Sequence, residues 1–163
     1  MTEPRRRAMQ TQVRVGVLSD THGLLRPEAI RALQGVDHIL HAGDVGDRGI
    51  LDALRAIAPL SAVRGNIDER GPCSHLPAVE AIHLNGHGIY MLHDRQSLDL
   101  DPAAACFAVV VSGHSHQPGA EWRQGTLYFN PGSAGPRRFS LPISLGLLTL
   151  YAGRIEPELI RLA

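Results

Sequence analysis

The chain has 163 residues, of which 44% are hydrophobic and 20% are charged, and this size and composition suit one globular domain with a sizeable core. Sixteen basic residues balance sixteen acidic ones, so no global field would hold a long polyanion such as DNA or an anionic membrane surface. Two cysteines are too few for a disulfide framework or a cysteine-rich zinc site, and no stretch approaches the ~20 apolar residues of a membrane span.

The first half of the chain alternates apolar runs with short helical patterns. Residues 1–11 carry charge without an apolar stretch and are predicted to be a flexible tail, with one domain over residues 12–163. The apolar runs predict strands at residues 13–20, 38–44 and 60–66. Helical patterns at residues 27–35 and 49–58 separate them. Such repeated β-α units indicate a parallel sheet.

The pattern of the second half of the chain predicts β-hairpins. Asn85-Gly86 predicts a tight turn between two strands within residues 79–93. A short helix is predicted at residues 101–107, before the strand that ends in "SGHSH". Further hairpins are predicted at residues 119–133 and 143–162. This order favours an α/β fold with two mixed sheets and helices outside them, in four layers α/β/β/α, over a purely parallel sheet.

Metal-ligand side chains follow five of the predicted strands. The carboxyl ends of strands in open α/β sheets converge on one crevice, so these side chains are expected to meet. Carboxylates and imidazoles together suit a borderline divalent ion such as manganese, iron or zinc. The candidate metal ligands are Asp20, His22, Asp44, Asn66, His93, His114 and His116.

Spacing suggests how some of these groups are aimed. In an extended segment, Asp20 and His22 would point the same way, and alternation would direct His114 and His116 to the metals and Ser115 away from them. Asp44 can bridge two metals because a carboxylate has two oxygens with several lone pairs.

Five short blocks carry a family resemblance. The blocks "SDTHG" (19–23), "HAGDV" (41–45), "RGNID" (64–68), "MLHD" (91–94) and "SGHSH" (112–116) resemble, in order, those of the calcineurin-like metallophosphoesterases. The small size, "GNID" and the later "NPGS" (130–133) are similar to the YfcE-type phosphodiesterase branch. The resemblance spans residues 13 to about 140 and implies the four-layer α/β/β/α sandwich with a dinuclear metal site.

The resemblance also implies the roles of single residues. One metal would be held by Asp20, His22, Asp44 and His116. The second would be held by Asp44, Asn66, His93 and His114. Two manganese ions are expected, with iron, zinc and nickel as alternatives, and a bridging hydroxide would attack a phosphodiester of a small substrate. The predicted catalytic residues are Asn66, His93 and Asp68.

Two positions depart from the wider family pattern. Ile67 stands where many members have a histidine near the leaving group, which predicts weak acid catalysis and a preference for good leaving groups. Asp94 stands where glycine is usual, and could orient His93 or shift the charge of the site.

Two other functions stay open. One is a nuclease with the same two-metal chemistry, which the neutral charge makes less favoured. The other is a non-catalytic protein-interaction scaffold like the retromer subunit of this family, although retention of all seven ligands argues against it.

We expect a cytoplasmic protein without membrane contact, and a homo-oligomer is left open. We expect structural roles for "NPGS" as a turn and for the remaining histidines, His38, His41, His75, His83 and His87, with His41 as a neighbour of Asp44.

Overall fold

Two five-stranded mixed sheets form the body of the protein. The computed structural model describes residues 11–163, so the predicted tail lies outside the described residues except for Thr11. The sheets have the strand orders β10-β9-β1-β2-β3 and β4-β5-β6-β8-β7. This arrangement confirms the predicted α/β fold with two mixed sheets.

The first sheet combines parallel and antiparallel strands. Strands β1, β2 and β3 are parallel to one another, β9 runs antiparallel beside β1, and β10 forms the outer edge. The strands are β1 (Gln12–Leu18), β2 (His38–His41), β3 (Leu60–Ala62), β9 (Ser144–Tyr151) and β10 (Ile155–Arg161).

The second sheet has the same plan. Strands β5, β6 and β8 are parallel, and antiparallel β4 and β7 form its two edges. The strands are β4 (Val79–Leu84), β5 (His87–Leu92), β6 (Val109–Val111), β7 (Gly119–Arg123) and β8 (Thr126–Asn130). Each sheet therefore has three parallel strands, and the carboxyl ends of five of these six strands, all but β8, lead into the loops that carry the predicted ligands.

Two apolar clusters hold these layers together. One lies between the sheets and contains Val17, Leu40, Met91, Val111 and Phe129, all essentially buried. It forms because alternate residues of strands from both sheets point into the same space.

The second cluster covers the other face of the first sheet with helices α1 (Pro27–Ala32) and α2 (Arg48–Arg55). Asp47 caps the start of helix α2, and its side chain accepts a hydrogen bond from the Gly49 N–H at 2.8 Å. Within residues 11–163, neither helix has the length and apolar surface to cross a membrane.

One element on the second sheet differs from the prediction. The helix expected at residues 101–107 is wrong: this segment is a run of turns, in which Cys106 has the left-handed φ of 66° that ends helical geometry. Phe107, at its end, packs against the Tyr90 ring with the centroids 5.2 Å apart. In the described residues both α-helices thus lie on the first sheet, whereas the turn segment at residues 101–107 contacts the second through Phe107 and Tyr90.

Candidate metal centre

The predicted ligands meet where the parallel strands of both sheets end. Six of the seven have a side-chain oxygen or nitrogen within 3.9 Å of another member: Asp20, His22, Asp44, His93, His114 and His116. The seventh, Asn66, is exposed and lines a cavity beside His93 and His114. The structure thus brings together in one crevice the residues that the sequence distributes over five blocks.

Asp20 is fully buried, and its two oxygens have different surroundings. Oδ2 accepts hydrogen bonds from the Ser19 hydroxyl at 2.7 Å and from the His114 N–H at 3.0 Å. Oδ1 has no hydrogen-bond partner and lies 3.3 Å from Nε2 of His116 and 3.7 Å from Nε2 of His22. The protein fixes one oxygen and leaves the other free for a cation.

The two oxygens of Asp44 also have different surroundings. Its Oδ1 accepts a hydrogen bond from the Ile67 N–H at 3.0 Å. Its Oδ2 lies 3.3 Å from Nε2 of His22 and 3.3 Å from Nε2 of His93. This oxygen therefore stands between a histidine of each predicted metal set, which is the position that a bridging carboxylate needs.

The His93 ring is oriented by the backbone. Its Nδ1 lies 2.8 Å from the Ala42 carbonyl oxygen, to which only a protonated ring nitrogen can donate. The lone pair is thereby left on Nε2, which faces Asp44 and lies 3.3 Å from Nδ1 of His114. The sequence suggested that Asp94 could orient His93, and this is wrong: its Oδ1 accepts from the Gln96 N–H, and its Oδ2 lies 3.9 Å from Nε2 of His114.

The ligand loops are not extended, contrary to the prediction. Positive φ angles occur at Asp20 (58°), His22 (46°), Asp44 (60°), His114 (72°) and His116 (63°). Left-handed backbone is uncommon and strained for residues with a Cβ, and such strain concentrates at functional sites. His114 consequently lies beside His93 while buried His116 lies beside Asp20, so each joins a different group of ligands.

The chemistry of this centre fits divalent metal ions. Within the described residues, four buried ligand atoms have no hydrogen-bond partner, namely Asp20 Oδ1, His22 Nε2 and both ring nitrogens of His116. Leaving buried polar atoms unsatisfied is costly unless something binds them. Two ligands at about 2.1 Å from one ion lie ~3.0–3.4 Å apart at octahedral or tetrahedral angles. The 3.3 Å separations around Asp20 and Asp44 match this spacing.

The electrostatics keep both carboxyls ionised. Burial alone would raise the pKa of Asp20, but His116 and His22 outweigh it and hold that pKa well below its usual range. Burial would also raise the pKa of Asp44, but His22 and His93 outweigh it and hold that pKa well below its usual range. In return, Asp20 and Asp44 raise the pKa of His22 to about 9. The centre without metal thus has strong affinity for positive charge.

Asp68 is placed differently from its predicted catalytic role. It is fully buried and accepts three backbone hydrogen bonds, from the N–H groups of Val45 and Gly46 at 3.0 Å each and of Gly65 at 2.9 Å. These groups belong to the loops that carry Asp44 and Asn66. Asp68 is therefore a positioning residue that ties two ligand loops together.

His41 also connects two ligand loops. The Gly43 N–H donates to its Nδ1 at 3.1 Å, so the ring proton is on Nε2 and donates to the Thr21 hydroxyl at 3.0 Å. The hydroxyl in turn donates to the Val45 carbonyl at 2.9 Å. Burial lowers the pKa of His41 to about 4, so the ring is neutral. His41 thus acts through Thr21 and Gly43, without contacting the Asp44 carboxylate.

The segment "NPGS" does more than turn the chain. The Asn130 amide donates to the Gly113 carbonyl at 3.0 Å and to the Ser115 hydroxyl at 3.1 Å. The Ser133 hydroxyl donates to the Asp20 carbonyl at 3.1 Å. Sequence reasoning noted this segment but missed its contacts with two ligand loops, because they join residues that are far apart in the chain.

Comparisons with known proteins agree with this geometry. The calcineurin-like phosphoesterase superfamily domain matches residues 13–153. A probable metallophosphoesterase of Methanothermobacter thermautotrophicus is 35% identical over 158 residues, which cover 90% of this chain and 91% of the relative. Sequence similarity therefore extends over nearly the whole of both proteins.

Solved structures show the same fold at lower identity. A novel archaeal phosphodiesterase has a TM-score of 0.72 and 19% identity, covering 91% of this chain and 100% of its own. Vacuolar Protein Sorting 29 from Cryptosporidium parvum has a TM-score of 0.75 and 18% identity, covering 92% and 97%. One architecture is thus shared by proteins described as a phosphodiesterase and as a sorting protein.

Proposed function

The chain belongs to the calcineurin-like phosphoesterase superfamily, and we propose that within it the chain is a dinuclear metal-dependent phosphodiesterase. The observation that carries the proposal is the position of Asp44 Oδ2, 3.3 Å from a histidine nitrogen on each side. A single-metal site has no need for a carboxylate oxygen between two groups of ligands. The archaeal phosphodiesterase with the same fold is consistent with this reaction.

The ligands would be shared between two ions. Asp20, His22, Asp44 and His116 would hold one, and Asp44, Asn66, His93 and His114 the other. When bound, such ions stabilise the negative charge of the phosphoryl group and make a water molecule more acidic. Only two of the seven ligands are anionic, so the loaded site keeps a positive charge that attracts a phosphoester anion.

Hydrolysis forms a bond from the water oxygen, which gives up a proton to solvent, to phosphorus and breaks the bond from phosphorus to the leaving oxygen, which takes up a proton from solvent after departure. Asn66 and His93 line a cavity beside the predicted ligand His114, and from there they would contact the phosphoryl group. Ile67 has no proton to give, and its side chain is 41% exposed. The leaving oxygen would therefore depart with little protonation from this position.

Metal analysis and diester kinetics test the proposal together. We expect two ions per chain and, with manganese, faster hydrolysis of bis(p-nitrophenyl) phosphate than of p-nitrophenyl phosphate. Asp44→Asn, which keeps the size but not the charge, should abolish both rates, whereas exposed His75→Asn should retain them. A folded protein with both ions bound that hydrolyses neither ester would overturn the proposal, and hydrolysis of the monoester alone would assign a phosphomonoesterase.

A further inference from the structure

Two cavities meet at Asp94 and His114, and we propose that the larger one binds a nucleoside substituent of the phosphodiester; this inference rests on the proposed function. The larger cavity has a volume of about 690 Å³ and the smaller about 300 Å³. Asp94 and His114 line both cavities, and the other lining residues differ. Two cavities with different linings thus adjoin the predicted ligand His114.

The presence of two adjoining cavities suits a phosphodiester, which has two organic substituents. The smaller cavity is lined by the predicted ligands Asn66 and His93, and the larger reaches the same centre through His114. A phosphorus atom held there would have room for one organic substituent on each side. A phosphomonoester carries one such substituent, whereas a phosphodiester carries two. The larger volume lies within the range of sites that enclose small organic ligands.

The larger cavity offers a surface for a flat ring. The Tyr128 ring lies in its wall, and two guanidinium groups lie over that ring, Arg95 at 4.5 Å and Arg123 at 5.5 Å from its centroid. A nucleobase would stack on the planar Arg95 guanidinium, which lines the cavity and which the Tyr128 ring supports, so loss of that ring would remove the platform. Gln96 and Gln117 also line this cavity, and their amides supply donors and acceptors of the kind that recognise a base edge.

Charge in the larger cavity argues against a second phosphate on the same substituent. Arg95 lies 3.5 Å from Glu121, which also accepts a hydrogen bond from Arg123 at 2.8 Å. Asp94 adds another carboxylate to the lining. The guanidinium in the lining is therefore already paired, and the carboxylates favour hydroxyl and amino donors. A nucleoside meets these requirements, whereas a polynucleotide brings further phosphates that the carboxylates repel.

The test compares two esters with the same leaving group. Thymidine 5′-(p-nitrophenyl phosphate) fills the larger cavity, and methyl p-nitrophenyl phosphate does not. Tyr128→Leu should lower kcat/KM for the thymidine ester by ~5- to 150-fold, the range that stacking of one base is worth, and should change the methyl ester less than about 2-fold. Tyr128→Phe keeps the ring and should retain the wild-type preference.

Tyr90→Leu is the matched control. Tyr90 is a tyrosine of the same sheet that packs on Phe107 rather than on the cavity, so its loss should affect the two esters equally. An equal effect of Tyr128→Leu on the two esters, or none on either, would overturn the assignment of the cavity.

Direct binding separates this inference from the proposed function. Calorimetry of thymidine 5′-monophosphate with the manganese-loaded protein should show tighter binding to the wild type than to Tyr128→Leu. If neither ester is hydrolysed but binding depends on Tyr128, the proposed reaction fails and the nucleoside site stands. If both esters are hydrolysed but neither binding nor rate responds to Tyr128→Leu, the nucleoside site fails and the phosphodiesterase stands.

Discussion

At the scale of single residues, the two carboxylates divide their oxygens between the protein and the crevice. Oδ2 of Asp20 and Oδ1 of Asp44 are occupied by hydroxyl or backbone donors, and the opposite oxygens face histidine nitrogens. The carboxylates are thus held in fixed orientations before any ion arrives. Such preorganisation lets a centre bind metals without rearranging its ligands.

Asp44 and His93 should differ in how many ions they control. Asp44→Ala removes the oxygen between the two ligand groups and should lose both ions, whereas His93→Ala should weaken mainly the second ion. Elemental analysis of the dialysed variants measures this directly, with His75→Asn retaining two ions. Two ions still bound in Asp44→Ala would contradict the bridging role.

Ile67 should make the rate sensitive to the leaving group. Without an acid at this position, rates on a series of aryl and alkyl diesters should fall steeply as the leaving-group pKa rises. Ile67→His should flatten this dependence by raising the rates of the poorest leaving groups ~100-fold, the lower end of the range of general acid catalysis. Equal slopes in both proteins, with chemistry limiting, would contradict the assignment.

At the scale of elements, sequence patterns predicted which strand ends lead into the crevice but not how the loops turn. The Asn85-Gly86 turn occurs as expected, with φ of 49° and 84°, because that dipeptide favours left-handed backbone locally. Left-handed Asp20, Asp44 and His114 could not be predicted in this way, since contacts between distant loops hold them there.

The same limit applies to side-chain partners. The hydrogen bonds of Asp68 with Val45 and Gly46 and those that Asn130 donates join loops from different strands, and no local pattern specifies such long-range contacts. The meeting of the candidate ligands could be predicted because five ordered blocks carry them. Their supporting contacts became visible only in the folded chain.

His41 should control metal affinity through the Thr21 bridge. His41→Asn can keep an acceptor for the Gly43 N–H but loses the donor to Thr21, and Thr21→Val removes the same bond from the other side. Both should weaken manganese binding by ~10- to 100-fold, as is typical when a partner that orients ligands is lost. Competition calorimetry measures the affinity.

Strand β2 supplies a control for this prediction. His38 is a half-buried histidine bonded to Ser61, so His38→Asn should leave manganese affinity within about 2-fold. Should His41→Asn lower only the unfolding temperature and leave the affinity unchanged, His41 would be merely structural.

Ser115 should be dispensable although it lies between two predicted ligands. Its hydroxyl accepts hydrogen bonds from the Asn130 amide and from the Gln117 N–H, so it supports the loop rather than the reaction. Ser115→Ala should retain most activity, and solvent ¹⁸O should enter the phosphate product in a single turnover. Trapping of a phosphoserine at Ser115 would contradict water as the nucleophile.

At the scale of the whole molecule, the metal centre joins two sheets that otherwise meet through apolar packing. Asp20, His22 and Asp44 follow strands of the first sheet, whereas His93 and His116 follow strands of the second. The unpartnered ligand atoms lie buried in this joint. Bound metal would therefore act as a cross-link between the layers as well as a cofactor.

Metal removal should accordingly lower the stability of the whole fold. A ligand that binds only the native state at 100 times its Kd stabilises it by about 2.7 kcal/mol, which in a domain of this size shifts Tm by ~5–10 °C. Differential scanning calorimetry with manganese and after chelation measures the shift, which Asp44→Asn should abolish and His75→Asn should keep. Identical melting of the chelated and loaded protein, with two ions shown to be bound, would contradict the cross-link.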